Sequence, residues 1–264
     1  MGKVASKLCK SCFPVDDSPY SGMQLATYAA KGTYEPITVP SSLDLDSSGE
    51  LFLSNPYEEK AREITQKFLN SSLKPNFEGY QKLLDRSGIK VHGKVIEGGF
   101  SMITEYKVPY DTTTYFTFIT DLEKRKKWDD TLADIKEVAE TGEATRINYM
   151  IVKGFMTFSS RDLVLLNTQG NVGDALYEVS TSVDYDAFPL DGNHVRAILF
   201  LGGHLATPID RDAEGNLSRI FELSEINLGG SISSSMCMKM AANAVPKYVK
   251  TLLSALGKDA EVKN

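Results

Sequence analysis

At 264 residues, with 42% hydrophobic and 24% charged residues, the chain has a globular composition and room for one large domain or two small ones. A formal charge of -6, with no basic stripe interleaved with aromatics, argues against general nucleic-acid binding. No apolar run approaches the roughly 18–20 residues of a membrane-spanning helix, and three unevenly placed cysteines make no disulfide framework, which points to a reducing compartment.

The chain opens MGKVASKLCKSC, and Gly2 stands in the M-G-x-x-x-[ST] pattern for N-myristoylation. One myristoyl chain gives only reversible membrane binding, so a second signal is needed. Cys9 and Cys12 could carry palmitate, and Lys3, Lys7 and Lys10 would each add roughly 1 kcal/mol near an anionic leaflet. Residues 1–12 therefore read as a basic tail acylated at Gly2, Cys9 and Cys12, and the sequence that follows lacks the apolar core of a secretory signal. Residues 13–55 are rich in Pro, Ser, Thr and Asp and show no sustained period, which predicts a flexible linker. Such a coil spans roughly 35 Å r.m.s..

The expected ordered domain covers residues 56–258. Asn55 suits an N-cap, Pro56 a first helical position, and Glu58 and Glu59 the positive helix end, so a helix begins there with Tyr57, Ala61, Ile64 and Phe68 on one face. FEGYQKLL (77–84) predicts a second short helix stopped by Ser87-Gly88. From Lys90 to Asn227 the texture is mostly β, in short β-branched segments separated by turns such as Gly170-Asn171 and Asp191-Gly192-Asn193. One helix interrupts them at 111–125, with Asp111 as its cap. A long helix from about Ser233 to Leu256 closes the chain on Met238, Ala241, Val245, Val249, Leu252 and Leu256, with Pro246 inside it as a kink. The predicted class is α+β, an antiparallel sheet with helices at both ends.

No catalytic signature is present: no nucleophile elbow, zinc-protease helix, P-loop or dinucleotide fingerprint. Cys9-Lys10-Ser11-Cys12 is one C-x-x-C without a partner, and His92, His194 and His204 stand in no spaced metal motif. DLDSSG (44–49) and DRDAEG (210–215) imitate calcium loops but carry Asn55 and Phe221 where the bidentate Glu belongs, so both read as turns. The expectation is a protein that is not an enzyme and needs no cofactor.

Five blocks in order carry a resemblance: YQKLLDRSGIKV (80–91), RKKWDDTLADIKEV (125–138), SSRDLV (159–164), STSVDYDAFPLDGNHVRA (180–197) and INLGGSISSSMCMKMAANAVPKYVKTLL (226–253). Together they resemble the START (StAR-related lipid-transfer) family, nearest in texture to its phosphatidylcholine-transfer branch. The resemblance implies a helix-grip fold, a curved antiparallel sheet wrapped around the C-terminal helix with an internal lipid tunnel. Met236, Met238 and Met240 at the start of that helix are flexible apolar side chains that suit either an adaptable pocket wall or ordinary core.

In that branch an arginine three residues before the Trp-Asp pair contacts the lipid phosphate, and the matching residue is Arg125. A guanidinium fork fits two phosphate oxygens. The positions of the branch's choline cage read Met150, Val152, Leu163 and Phe200 here, with one aromatic, whereas a quaternary ammonium is held by aromatic faces. The carboxylate and arginine of sterol carriers fall on strands that supply Met150 and Asn167. The resemblance thus implies a lipid site at Arg125, Met150, Val152, Leu163, Asn167, Phe200, Met236 and Met240, holding one phospholipid with a head other than choline. Arg161, Asp162 and Arg196 match family positions and fit a structural ion pair equally well. The expected function is a membrane-tethered monomer on the cytoplasmic face that exchanges phospholipid between membranes. The alternative is a sensor that binds phospholipid or sterol without bulk transfer.

Overall fold

In the computed structural model, residues 13–15, 24–26, 56–142, 144–154, 158–185, 188 and 192–262 are described. The acylation candidates Gly2, Cys9 and Cys12 lie outside them. Within the stretch read as a linker, Phe13–Val15 (β1) and Gln24–Ala26 (β2) pair antiparallel.

Helix α1 (Pro56–Leu73) forms where the capping and face pattern place it, with Glu58 and Glu59 in its first turn. Ala61, Ile64, Phe68, Leu69 and Leu73 are buried along one side. The next segment departs from expectation. Residues 81–86 are not helical but form strand β3 (Gln81–Arg86), paired antiparallel with β4 (Ile89–Ile96). The reason is the turn: Ser87 and Gly88 both adopt positive φ, 53° and 74°, the backbone of a two-residue hairpin loop whose twist matches its strands. Leu83 and Leu84 then pack beneath the C-terminal helix, while Lys82, Asp85 and Arg86 leave charge on an edge strand.

The remaining strands are β5 (Gly99–Val108), β6 (Leu132–Gly142), β7 (Thr145–Val152), β8 (Arg161–Val172), β9 (Ala175–Ser182), β10 (Val195–Arg196), β11 (Ile198–Pro208) and β12 (Ser218–Asn227). With β3 and β4 they make a ten-stranded sheet in the order β3-β4-β5-β12-β11-β9-β8-β7-β6. Strand β10 lies off this path and runs parallel to β8; the consecutive pairs of the path are antiparallel. The expected single helix at 111–125 is two. Asp111 caps α2 (Thr112–Thr120), accepting from Thr114 N at 2.9 Å, and Asp121 ends it and caps α3 (Leu122–Trp128), accepting from Lys124 N at 3.0 Å. Helix α4 (Ser234–Val262) continues through Pro246.

The sheet is curved and covered on both faces. On one, α1 packs Ile64, Phe68 and Leu69 against Val179, Leu205 and Leu223. On the other, α4 brings Ala242, Val245, Val249, Leu252 and Leu256 against Val91, Tyr106 and Ile220, with α2 and α3 alongside. Each such fully buried aliphatic or aromatic side chain contributes roughly 1.5–3 kcal/mol over its exposed state. The sheet wrapped on α4 is the helix-grip arrangement.

The turn into α4 depends on Gly229 and Gly230, at φ 66° and 74°. A Cβ at Gly229 would stand 2.8 Å from Val195 Cγ1 and 2.9 Å from the Arg196 carbonyl oxygen, so both conformation and space require glycine there. Arg161 Nε donates to the Leu228 carbonyl at 3.2 Å, fastening β8 to this turn. Asp162 accepts both arms of Arg196, at 3.0 and 2.8 Å, and a further bond from Tyr149 at 3.2 Å. Arg161, Asp162 and Arg196 therefore act as fastenings between strands and loops. The DRDAEG segment is a turn, as expected, in which Asp212 accepts from Asn216 N at 2.8 Å and from Lys107 at 2.9 Å.

Candidate functional site

The α4-facing side of the sheet changes character along its strands. Near the start of α4 it is apolar: Leu163, Leu165 and Ala197 form a buried cluster joined by Met150, Val152, Leu199, Ile226 and Leu228. Further along the same strands it is polar. One row of paired positions crosses five strands, from Gln169 (β8) to Glu178 (β9), His204 (β11), Glu222 (β12) and Thr104 (β5). The neighbouring row carries Asn167, Ser180, Gly202 and Ser224.

Glu178 is the most tightly held member of the polar row. It accepts from Arg146 at 3.0 Å and from Gln169 at 2.9 Å. Burial pushes its carboxyl up, but His204, Arg146 and Gln169 outweigh that and hold it down at about 2. His204 Nε2 lies 3.3 Å from Glu178 Oε2, an ion pair when the imidazole is protonated, and has no hydrogen-bond partner among the described residues. Arg146 Nε and Asn148 Oδ1 are buried without one as well. Glu222 accepts from the Tyr106 hydroxyl at 2.7 Å, and that hydroxyl shares a 2.9 Å bond with Tyr115. Burial, followed by the charge of Glu222, pushes the phenols of Tyr106, Tyr115 and Tyr248 up, so all three remain protonated.

Helix α3 delivers Arg125 to this polar end. Its neighbours are engaged elsewhere: Lys124 pairs with Asp259 at 2.9 Å and Lys126 with Glu123 at 2.9 Å, while Lys127 is exposed. Arg125 instead lies within the electrostatic reach of Tyr248, Asp129 and Glu178. It is half-buried, with a quarter (25%) of its side-chain surface accessible. Its Nε bond to Asp129, at 3.5 Å, is long. Glu222 and Tyr248 are likewise half-buried.

The residues singled out from sequence divide accordingly. Met150, Val152 and Leu163 meet in the apolar cluster, and Arg125 stands at the polar end. Asn167 is satisfied within the polar row, accepting from Ser180 at 2.6 Å and donating to the Leu165 carbonyl at 3.0 Å. Phe200 occupies a bulge in β11 and is 40% exposed, near Gly98 at the β4–β5 turn. Met236 is 51% exposed, Met240 is half-buried, and Met238 is fully buried core. Sequence reasoning passed over Arg146, Glu178 and Glu222, and weighed His204 only as a metal ligand or base. Their signal is an ionisable residue inside an otherwise apolar strand, but their alignment into one row depends on strand register.

A separate cleft of about 320 Å³ opens on the α1-facing side, lined by Ser71, Tyr80, Lys94, Ile103, Leu223 and Glu225 among others. Trp128 is not part of either site; it is buried against Phe118 and Tyr248, anchoring α3 to α4.

A sequence model of the START domain matches residues 74–261. The chain belongs to the START family. No curated protein sequence matches it. Among solved structures, human StAR-related lipid transfer protein 5 superposes with a TM-score of 0.71 at 14% identity, over 79% of this chain and 100% of that one. Human STARD10 gives 0.66 at 19% identity, over 76% and 81% of the two chains. A START fragment from Xanthomonas axonopodis gives 0.56 at 22% identity, over 67% and 98%. At these identities the likeness establishes the fold, and the helix grip expected from the sequence is what the structure has. Membership makes this START domain a lipid-binding domain of the transfer type.

Proposed function

We propose that this START domain holds one phospholipid inside the grip, phosphate at Arg125 and acyl chains along the apolar half of the same face, and exchanges it between membranes without covalent chemistry. The observation that carries the reading is the division of one sheet face into an apolar end and a polar end, with the half-buried Arg125 at the polar end. A buried phosphate demands such a partner, and a guanidinium offers it two donors at once. A lipid with two acyl chains exposes on the order of 30 methylenes, so moving it into water costs roughly 20 kcal/mol or more. An apolar lining replaces the bilayer's environment and removes most of that barrier.

The apolar end also supports a direction of approach. Val95, Ile198, Phe200 and Met236 are the exposed large hydrophobics at the strand ends and helix start beside the apolar cluster. A group of exposed apolar side chains of this kind suits contact with a membrane. Acylation at Gly2, Cys9 and Cys12 would keep the domain at that surface, on the cytoplasmic face, with residues 13–55 as its reach.

The test is native mass spectrometry with lipid extraction on the full chain after incubation with mixed phospholipid–sterol vesicles. One phospholipid per protein, lost or strongly reduced in Arg125→Ala, is the expected result. Sterol bound with no dependence on Arg125, or no lipid at all, overturns it. Vesicle-to-vesicle transfer of a fluorescent phospholipid separates carrier from sensor, because a sensor binds without transferring.

A further inference from the structure

The cleft of about 320 Å³ on the α1-facing side of the sheet stands apart from the lipid site. Ile103 and Leu223, paired neighbours in β5 and β12 and 2% and 4% exposed, form its apolar floor. Asn76 and Glu78, in the connection from α1 to β3, line it as well. Its volume falls at the lower end of small-molecule sites, roughly 300–1,000 Å³, and suits a molecule of amino-acid size, not a lipid.

The charges of the cleft are fixed by the sheet. Lys94, Ser101 and Glu225 are paired neighbours in one row across β4, β5 and β12. Lys94 stands over the Tyr80 ring, 4.4 Å from its centroid, and has no carboxylate within ion-pair distance among the described residues. The Tyr80 hydroxyl and Ser101 Oγ are 2.6 Å apart, and Ser101 donates to Glu225 Oε1 at 3.2 Å, so the tyrosine donates to the serine. This chain holds Glu225 by one oxygen, and Oε2 accepts no hydrogen bond among the described residues. Asn76 Oδ1 accepts from Glu78 N at 2.9 Å, which shapes the rim, and the Glu78 side chain is exposed. The cleft thus carries one cation and two carboxylates, none of them in an ion pair among the described residues.

A row of three strands sets the backbones of Lys94 and Glu225 roughly 10 Å apart. A ligand that meets both needs an anion and a cation several ångströms apart, with an apolar stretch between them for Ile103 and Leu223. A second positive group would answer Glu78. A simple anion would meet two carboxylates, and a polyamine would have nothing to give Lys94. A basic α-amino acid has the full set: a carboxylate, an ammonium beside it, and a second cation at the end of a methylene stem. A guanidinium end suits Glu225, because its planar fork matches a carboxylate.

We propose that this cleft binds a free basic α-amino acid of the arginine type, with its carboxylate on Lys94, its guanidinium on Glu225 and its stem on Ile103 and Leu223. Tyr80 and Ser101 act as positioning residues for the two charged groups. The site is independent of the phospholipid reading, because it lies on the opposite face of the sheet.

Isothermal titration calorimetry and ligand-observed NMR on the full chain compare arginine with two analogues. Citrulline keeps the shape without the side-chain charge, and agmatine lacks the carboxylate. Arginine binds with a Kd on the order of 1 mM or tighter, the affinity open to a ligand of this size. Citrulline and agmatine each bind roughly tenfold more weakly, as loss of one charge-assisted contact gives. Glu225→Gln removes the preference over citrulline, and Lys94→Met removes the preference over agmatine. The wild-type series needs no variant, so a variant that fails to fold leaves the test intact. Three ligands bound alike, or no binding of arginine at about 20 mM, overturn the site and leave the phospholipid reading untouched.

Discussion

Glu178 and Glu222 flank His204 in one row of the sheet and are perturbed in opposite directions. Glu178 is held at about 2 against an ordinary 4.5, so its contribution to stability is full above 4.5 and is lost as pH falls toward 2. Its size is on the order of 3 kcal/mol. Glu222 is raised, so its contribution is full below 4.5 and is lost as pH rises through its folded value. Chemical denaturation across pH checks the pair. Glu178→Gln should be markedly less stable than wild type at neutral pH, with the gap closing between pH 4.5 and 2. Glu222→Gln should gain on wild type as pH rises, even though it weakens the bond from Tyr106. Parallel behaviour of the two variants would refute the assignment. Neither role was visible in the linear chain, where both residues appear as single acids in apolar strands.

At the scale of elements, turns and caps carry the most information per residue. Asp111 announces α2 correctly, and the same chemistry at Asp121 splits off α3, which carries Arg125 to the polar end while Lys126 and Lys127 stay exposed. Ser87-Gly88 reads equally well as a helix stop or a hairpin loop, and only pairing of β3 with β4 decides between them. The turn at Gly229 is the most sensitive joint, because it ties β10, β12 and the start of α4 together. Gly229→Ala meets a backbone oxygen at 2.9 Å and a positive φ at once, and should cost roughly 1–3 kcal/mol. Thermal unfolding checks this: a drop of several degrees supports it, and an unchanged midpoint would show that the turn yields freely. Gly192, also at positive φ but with nothing within 4 Å of a Cβ, is the control and should cost less.

Across the whole molecule, the two halves of α4 are held differently. Its later half is pinned to α3 and the following turn by Lys124–Asp259 at 2.9 Å, by Lys247–Asp130 at 2.6 Å and by Tyr248 against Trp128. Its start packs Cys237 and Met238 on Phe100 and leaves Met236 outside, beside the exposed Phe200 and Ile198 end of the sheet. If that end meets the bilayer, Phe200→Asp should lower vesicle association and transfer severalfold, without lowering stability, because Phe200 is 40% exposed in the free protein. Sedimentation with vesicles and a fluorescent transfer assay measure both. Unaltered transfer would place the approach elsewhere.

The sequence by itself determined the class and most of the order of elements. Periodicity in α1 and α4 is local, since a helix face repeats within a few residues, and Ala61, Ile64, Phe68, Val245, Val249, Leu252 and Leu256 were all legible as core for that reason. The family was legible from blocks such as RKKWDD and INLGGS, which form the end of α3 and the Gly229-Gly230 turn into α4. What only the tertiary structure decided is which strand residues share a face and a row. Glu178, His204 and Glu222 come from three strands, and Tyr106 and Arg125 from two further elements. Their meeting depends on register and sheet curvature, which are set by packing at long range. The same physics sorted the candidates. It put Met150, Val152 and Leu163 together, moved Phe200 and Met236 to the surface, and turned Arg161, Asp162 and Arg196 into fastenings.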